Sequence, residues 1–119
     1  LGVMPSLYDP AVPKYENLPD GPFDGVYSTD VLEHIPKEQL PEVIKQIFSR
    51  AERFVYLGIC TEASKDILFN GENAHCTLKP KQWWRHRMAE TIKENIEVHV
   101  VYSYSHNIKN MEHEIYTKK

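Results

Sequence analysis

Asp30, Glu33 and His34 fall within five residues of one another in "STDVLEHIP", and His75 stands in "NGENAHC". These are the side chains best suited to chemistry. An imidazole titrates near neutrality, so His34 and His75 are candidate general bases or catalytic contacts. A carboxylate accepts charge-assisted hydrogen bonds, which makes Glu33 a candidate substrate-binding group. Asn73 joins it on the lip formed with Asn70 and Glu72. Each residue also has a plain structural role. Asp30 can bond a nearby backbone N–H, and His34 can pin a loop. Glu33 suits the positive start of a helix, and His75 can simply be solvated.

Metal chemistry is not signalled by spacing. The chain has six histidines and two cysteines but no Cys-x-x-Cys and no His-Glu-x-x-His. Cys60, His75 and Cys76 could meet only through the tertiary fold. A metal-dependent hydrolase built on Asp30, Glu33, His34 and His75 is the enzymatic alternative. Neither cysteine lies in a pattern that activates a nucleophile.

The elements that position these groups follow from the apolar pattern. Residues 23–29 form an apolar strand running straight into Asp30. Pro36 is expected to open a helix. Its apolar stripe is Leu40, Val43, Ile44, Ile47, Phe48 and Ala51, a period of about 3.6. Residues 53–60, "RFVYLGIC", are almost continuously apolar and predict a strand buried on both faces. Asn70–Gly71 marks a turn in the long connection 61–79. Pro80 suits the first turn of a second helix, with Trp84, Met88 and Ile92 on its core face and Trp83 elsewhere. Residues 96–104 and 112–117 predict two strands joined through "SHNIKN", a terminal antiparallel hairpin. Leu7–Asp9 could end a further strand ahead of the Pro-rich stretch 9–22. The order predicts an α/β layered domain, with ligands outside the carboxyl ends of its parallel strands.

Composition narrows the class. At 119 residues, 41% hydrophobic and 26% charged, the chain supports one domain with one modest core. Formal net charge is −3, and the cluster Lys79, Lys81, Arg85 and Arg87 reads as a solvated helix face, not a nucleic-acid footprint. No membrane span or secretory leader is visible, and two cysteines make no disulfide framework, so the cytoplasm is the expected compartment.

The string "FDGVYSTDVLEHIPKEQLPEVIKQIF" resembles the fourth-strand segment of class I S-adenosylmethionine-dependent methyltransferases. "NAHCTLKPKQWWRHRM" is similar to a later segment of that family, where a His precedes a Thr/Pro helix start. "LYDP" resembles the end of the second strand, whose acidic residue binds the cofactor ribose. The resemblance covers most of residues 7–92. It implies a partial Rossmann-like methyltransferase sheet flanked by helices, with S-adenosylmethionine as cofactor. It implies that Asp9 holds the ribose and that Asp30 faces the sulfonium and amino group. Tyr15, Asn17 and Leu18 would flank the adenine, and His75 would lie on the side of an unassigned methyl acceptor. The family's first strand and Gly-rich loop are expected before residue 7, and Gly2, Gly21, Gly25, Gly58 and Gly71 make no Gly-x-Gly turn. The expectation is therefore the carboxy-terminal part of such an enzyme, truncated and binding cofactor weakly. Self-association could cover its unpaired strand edges. The reading from a different class is a non-catalytic binding or assembly module with a reduced Rossmann-like fold.

Overall fold

The computed structural model describes residues 5–64, 66–92, 96–104 and 111–117. The described elements are β1 (Phe23–Thr29), α1 (Leu40–Arg50), β2 (Ala51–Cys60), α2 (Lys81–Ala89), β3 (Glu97–Ser103) and β4 (Met111–Thr117). They make one mixed four-stranded sheet in sequence order, β1-β2-β3-β4. β1 pairs parallel to β2, β2 parallel to β3, and β4 antiparallel to β3. The α/β class and the antiparallel ending expected from the pattern are both present. The turn "SHNIKN" lies outside the described residues.

Helix α1 forms where the apolar stripe predicts it, but it begins at Leu40 and not at Pro36, and Ala51, the last residue of that stripe, is already the first of β2. Ile35 is extended, at φ −96 and ψ 129, because Pro36 disfavours helical geometry in the residue before it. Pro41 occupies the first turn, where a missing N–H costs nothing. Leu40, Ile44 and Phe48 are buried. On α2, Trp84 and Met88 are buried, and Ile92 follows just beyond the helix. Trp83 is only partly covered. It meets Trp84 edge to face at 5.0 Å, and the Arg87 guanidinium lies 5.0 Å from its ring centroid.

Both helices pack on the same side of the sheet. Their buried residues join Val55, Leu57 and Ile59 of β2 and Val98, Val100 and Tyr102 of β3 in one core. The expectation that β2 is buried on both faces is therefore corrected. Phe54 and Tyr56 are exposed on the opposite face, because no described helix covers it. On that face Tyr56 stacks on His99, and His99 on His113, at centroid distances of 6.3 and 5.4 Å.

Leu7–Asp9 forms no strand. The Asp9 N–H donates to the Tyr15 carbonyl, and Asp9 Oδ1 accepts the Ala11 N–H, so the chain closes a local loop. Pro10 adds no donor with which to extend a ladder. β1 is thus an edge strand among the described residues. Two residues of the basic cluster tie α2 to β4: Lys81 pairs with Glu112 and Arg85 with Glu114. No described helix is long and apolar enough to cross a membrane.

Candidate functional site

The chain leaves β1 through an unusual residue. Asp30 has φ +57, the left-handed region that Asp tolerates better than most non-glycine residues. Its N–H donates to the Gly58 carbonyl at 3.1 Å, extending the pairing of β1 with β2 by one bond. A 3-10 turn over Leu32–His34 follows at once. Leu32 enters the core, and Glu33 is carried into it: both are fully buried.

The Glu33 carboxylate has two unlike oxygens. Oε2 accepts the Cys60 N–H at 3.3 Å, at the end of β2, while Oε1 is buried with no hydrogen-bond partner among the described residues. Burial pushes the Glu33 carboxyl above its usual range, and the neighbouring Asp30 charge acts in the same direction. The Cys60 N–H and His34 oppose this shift.

The other wall comes from the connection between β2 and α2. Residues 74–77 are sewn to the 3-10 turn by three bonds. The Thr77 N–H donates to the Glu33 carbonyl at 3.1 Å, Thr77 Oγ1 to the Ile35 carbonyl at 2.6 Å, and His34 Nδ1 to the Ala74 carbonyl at 2.9 Å. His75 is buried by this seam and lies edge to face with His34, centroids 4.6 Å apart. His75 Nδ1 donates to the Glu62 carbonyl at 2.6 Å.

A carbonyl can only accept, so each contact assigns the proton to Nδ1 and leaves the Nε2 lone pair free in the neutral ring. One ligand atom each from Glu33, His34 and His75 lie within 4.8 Å of one another. A groove of about 400 Å³, lined in part by Lys37, Glu72, Cys76 and Lys79, opens along the segments that follow His34 and His75.

The sequence-derived candidates thus divide. Glu33, His34 and His75 converge. Asp30 stands at the exposed start of the same segment. Asn73 accepts the Ser64 and His75 N–H groups and donates to the Ser64 carbonyl, so its amide shapes the loop that presents His75. Asp9, Asn17 and Leu18 lie in the irregular segment before β1, and none is hydrogen-bonded to Asp30, Glu33, His34 or His75. Thr77 was not among the candidates, and neither was the backbone of Glu62 and Ala74. Carbonyl partners leave no trace in residue type.

Measured against an adenosyl cofactor, the described residues fit in part. Asp30 offers an exposed side chain at the carboxyl end of a parallel strand. Asp9 already uses one oxygen in its own turn. Among the described residues no glycine pair forms a cradle for the methionine moiety. No family model, curated protein or solved structure matches the chain.

Proposed function

We propose that the chain carries the acceptor-side part of an S-adenosylmethionine-dependent methyltransferase sheet. The reading rests on one observation. The string Asp30-Val31-Leu32-Glu33-His34, which resembles that family, occupies the carboxyl end of the first of three parallel strands, where open α/β sheets receive ligands. The cofactor, when bound, supplies an electrophilic methyl group. This chain's residues act around it. Asp30 places a negative charge at the sheet edge. His34 and His75, each bonded to a backbone carbonyl through Nδ1, leave Nε2 as the nitrogen that would take a proton from an acceptor. The seam between residues 33–35 and 74–77 holds the two rings together, with His75 buried and His34 exposed. The acceptor itself is unassigned.

The test is a titration of the isotopically labelled chain with S-adenosylhomocysteine, followed by amide chemical shifts. Saturable shifts in residues 28–34 and at Gly58, weakened in Asp30→Asn, are the expected result. An unchanged spectrum at millimolar ligand would overturn the reading.

A further inference from the structure

We propose that Glu33, His34 and His75 form a binding site for one first-row divalent transition-metal ion. The cluster consists of two imidazoles and one carboxylate, a donor set that suits zinc, manganese, cobalt or iron(II) and leaves coordination positions open for water or substrate. Four observations carry the inference, and none depends on methyl transfer; an ion held at the two Nε2 atoms takes the place of the proton-accepting role given to these histidines above.

Three donor atoms lie within 4.8 Å of one another with no local motif to bring them together, since His75 is supplied from beyond β2. Both imidazoles are oriented through Nδ1 by backbone carbonyls, those of Ala74 and Glu62. This is the outer contact that metal-bound histidines characteristically make, and it frees Nε2 as the ligand atom. Glu33 is fully buried, and its Oε1 has no partner among the described residues. A buried carboxylate oxygen left unsatisfied is costly, and a cation would satisfy it. Finally, His34 is exposed on one side of the cluster, which gives an ion a way in. Two nitrogen donors disfavour magnesium and calcium, which select oxygen ligands.

Among the described residues, the group of His99 and His113 lacks these features. His99 uses Nδ1 on His113, at 3.3 Å, and Nε2 on Glu97, at 2.5 Å, so its donors are spent on one another.

The experiment is a titration of the metal-free chain with Co²⁺, read by visible absorption, followed by displacement with Zn²⁺ and a parallel calorimetric titration with Mg²⁺. The expected result is one Co²⁺ per chain, displaced by Zn²⁺, with Mg²⁺ far weaker. Loss of an outer-shell partner typically weakens a metal about 10- to 100-fold. His34→Ala and His75→Ala, which remove ligands, should lose at least that much, and His113→Ala should match the unmodified chain. His34→Ala alters an exposed side chain, so it keeps the test valid if His75→Ala fails to fold by circular dichroism. Absence of a Co²⁺ spectrum, or affinity unchanged in His34→Ala, would overturn the site. So would affinity lost in His113→Ala. A silent S-adenosylhomocysteine titration beside a positive Co²⁺ titration would remove the methyltransferase reading and leave the metal site standing.

Discussion

Glu33, fully buried after β1, accepts the Cys60 N–H at the end of β2 with one carboxylate oxygen and leaves the other unpartnered among the described residues. The pair joins the carboxyl ends of two parallel strands through a side chain that prefers water. Because burial raises its pKa, native Glu33 binds a proton more readily than the unfolded chain does. Between the ordinary carboxyl value of 4.5 and the raised native value, the folded state holds the extra proton. Stability of the metal-free chain therefore falls as pH rises through that window and levels off above it. Glu33→Gln keeps an acceptor for Cys60 and removes the charge. Its urea midpoint should gain on that of the unmodified chain with increasing pH, and parallel pH profiles would refute this assignment of cause.

Asp30 separates backbone geometry from ligand binding. Its left-handed φ of +57 suits Asp, Asn and Gly but not a β-branched residue. Asp30→Asn should fold with unchanged stability. Asp30→Val should lose about 1–2 kcal/mol, the usual left-handed penalty for such a residue. Chemical denaturation of the two variants checks this, and equal midpoints would contradict the strain argument.

Most of the scaffold was legible because it depends on periodicity. The stripe from Leu40 to Phe48 and the apolar run of β2 are local patterns, and Pro41 and Pro80 punctuate them. What failed depends on neighbours. Phe54 and Tyr56 read as core because they are apolar, yet burial requires a second layer that no described helix provides. Leu7–Asp9 reads as a strand end until the Tyr15 carbonyl takes the Asp9 N–H. At the site, the acidic and histidine side chains after β1 stood out by type. Their partnership with His75 was legible only as one alternative, because the bonds between residues 33–35 and 74–77 that make it end on backbone carbonyls, which residue type does not reveal.

Asn73 should act as a positioning residue. Its side chain makes three bonds, to the Ser64 N–H and carbonyl and to the His75 N–H. At about 0.5–1.5 kcal/mol each, their loss in Asn73→Ala should speed amide exchange at Ser64 and His75 by about tenfold or more. Exchange at Val55 and Val98, in the sheet, should be unchanged. Uniform acceleration would show that the loop opens only with the whole domain.

The Lys81–Glu112 pair gives a second pH dependence, of opposite sign. The ammonium of Lys81 holds the Glu112 carboxyl below its usual range, with help from Tyr104. The tie of α2 to β4 is therefore complete above the ordinary carboxyl value of 4.5 and is lost as pH falls through the depressed one. A carbon-detected titration of Glu112 should show its midpoint return upward in Lys81→Met. An unmoved midpoint would assign the depression to other neighbours.

Phe48 tests the helix layer. Its ring is buried in the shared core of α1, β2 and β3. Phe48→Ala should cost about 3–5 kcal/mol in equilibrium denaturation, and a loss under about 1 kcal/mol would show that the helix packs loosely on its strands.

Helix α1 ends at Arg50 and β2 begins at Ala51, so no spacer separates a helical residue from a paired one. The peptide joining them acts as a rigid coupling, and its length sets the phase of every side chain downstream. A single residue inserted there would rotate the β2 pleat by half a period, exchanging Val55, Leu57 and Ile59 with the wet side of the sheet. The same insertion in the turn around Gly71 would only lengthen a loop. Tolerance to added length along this chain is thus governed by where helix abuts strand, not by distance from the chemistry.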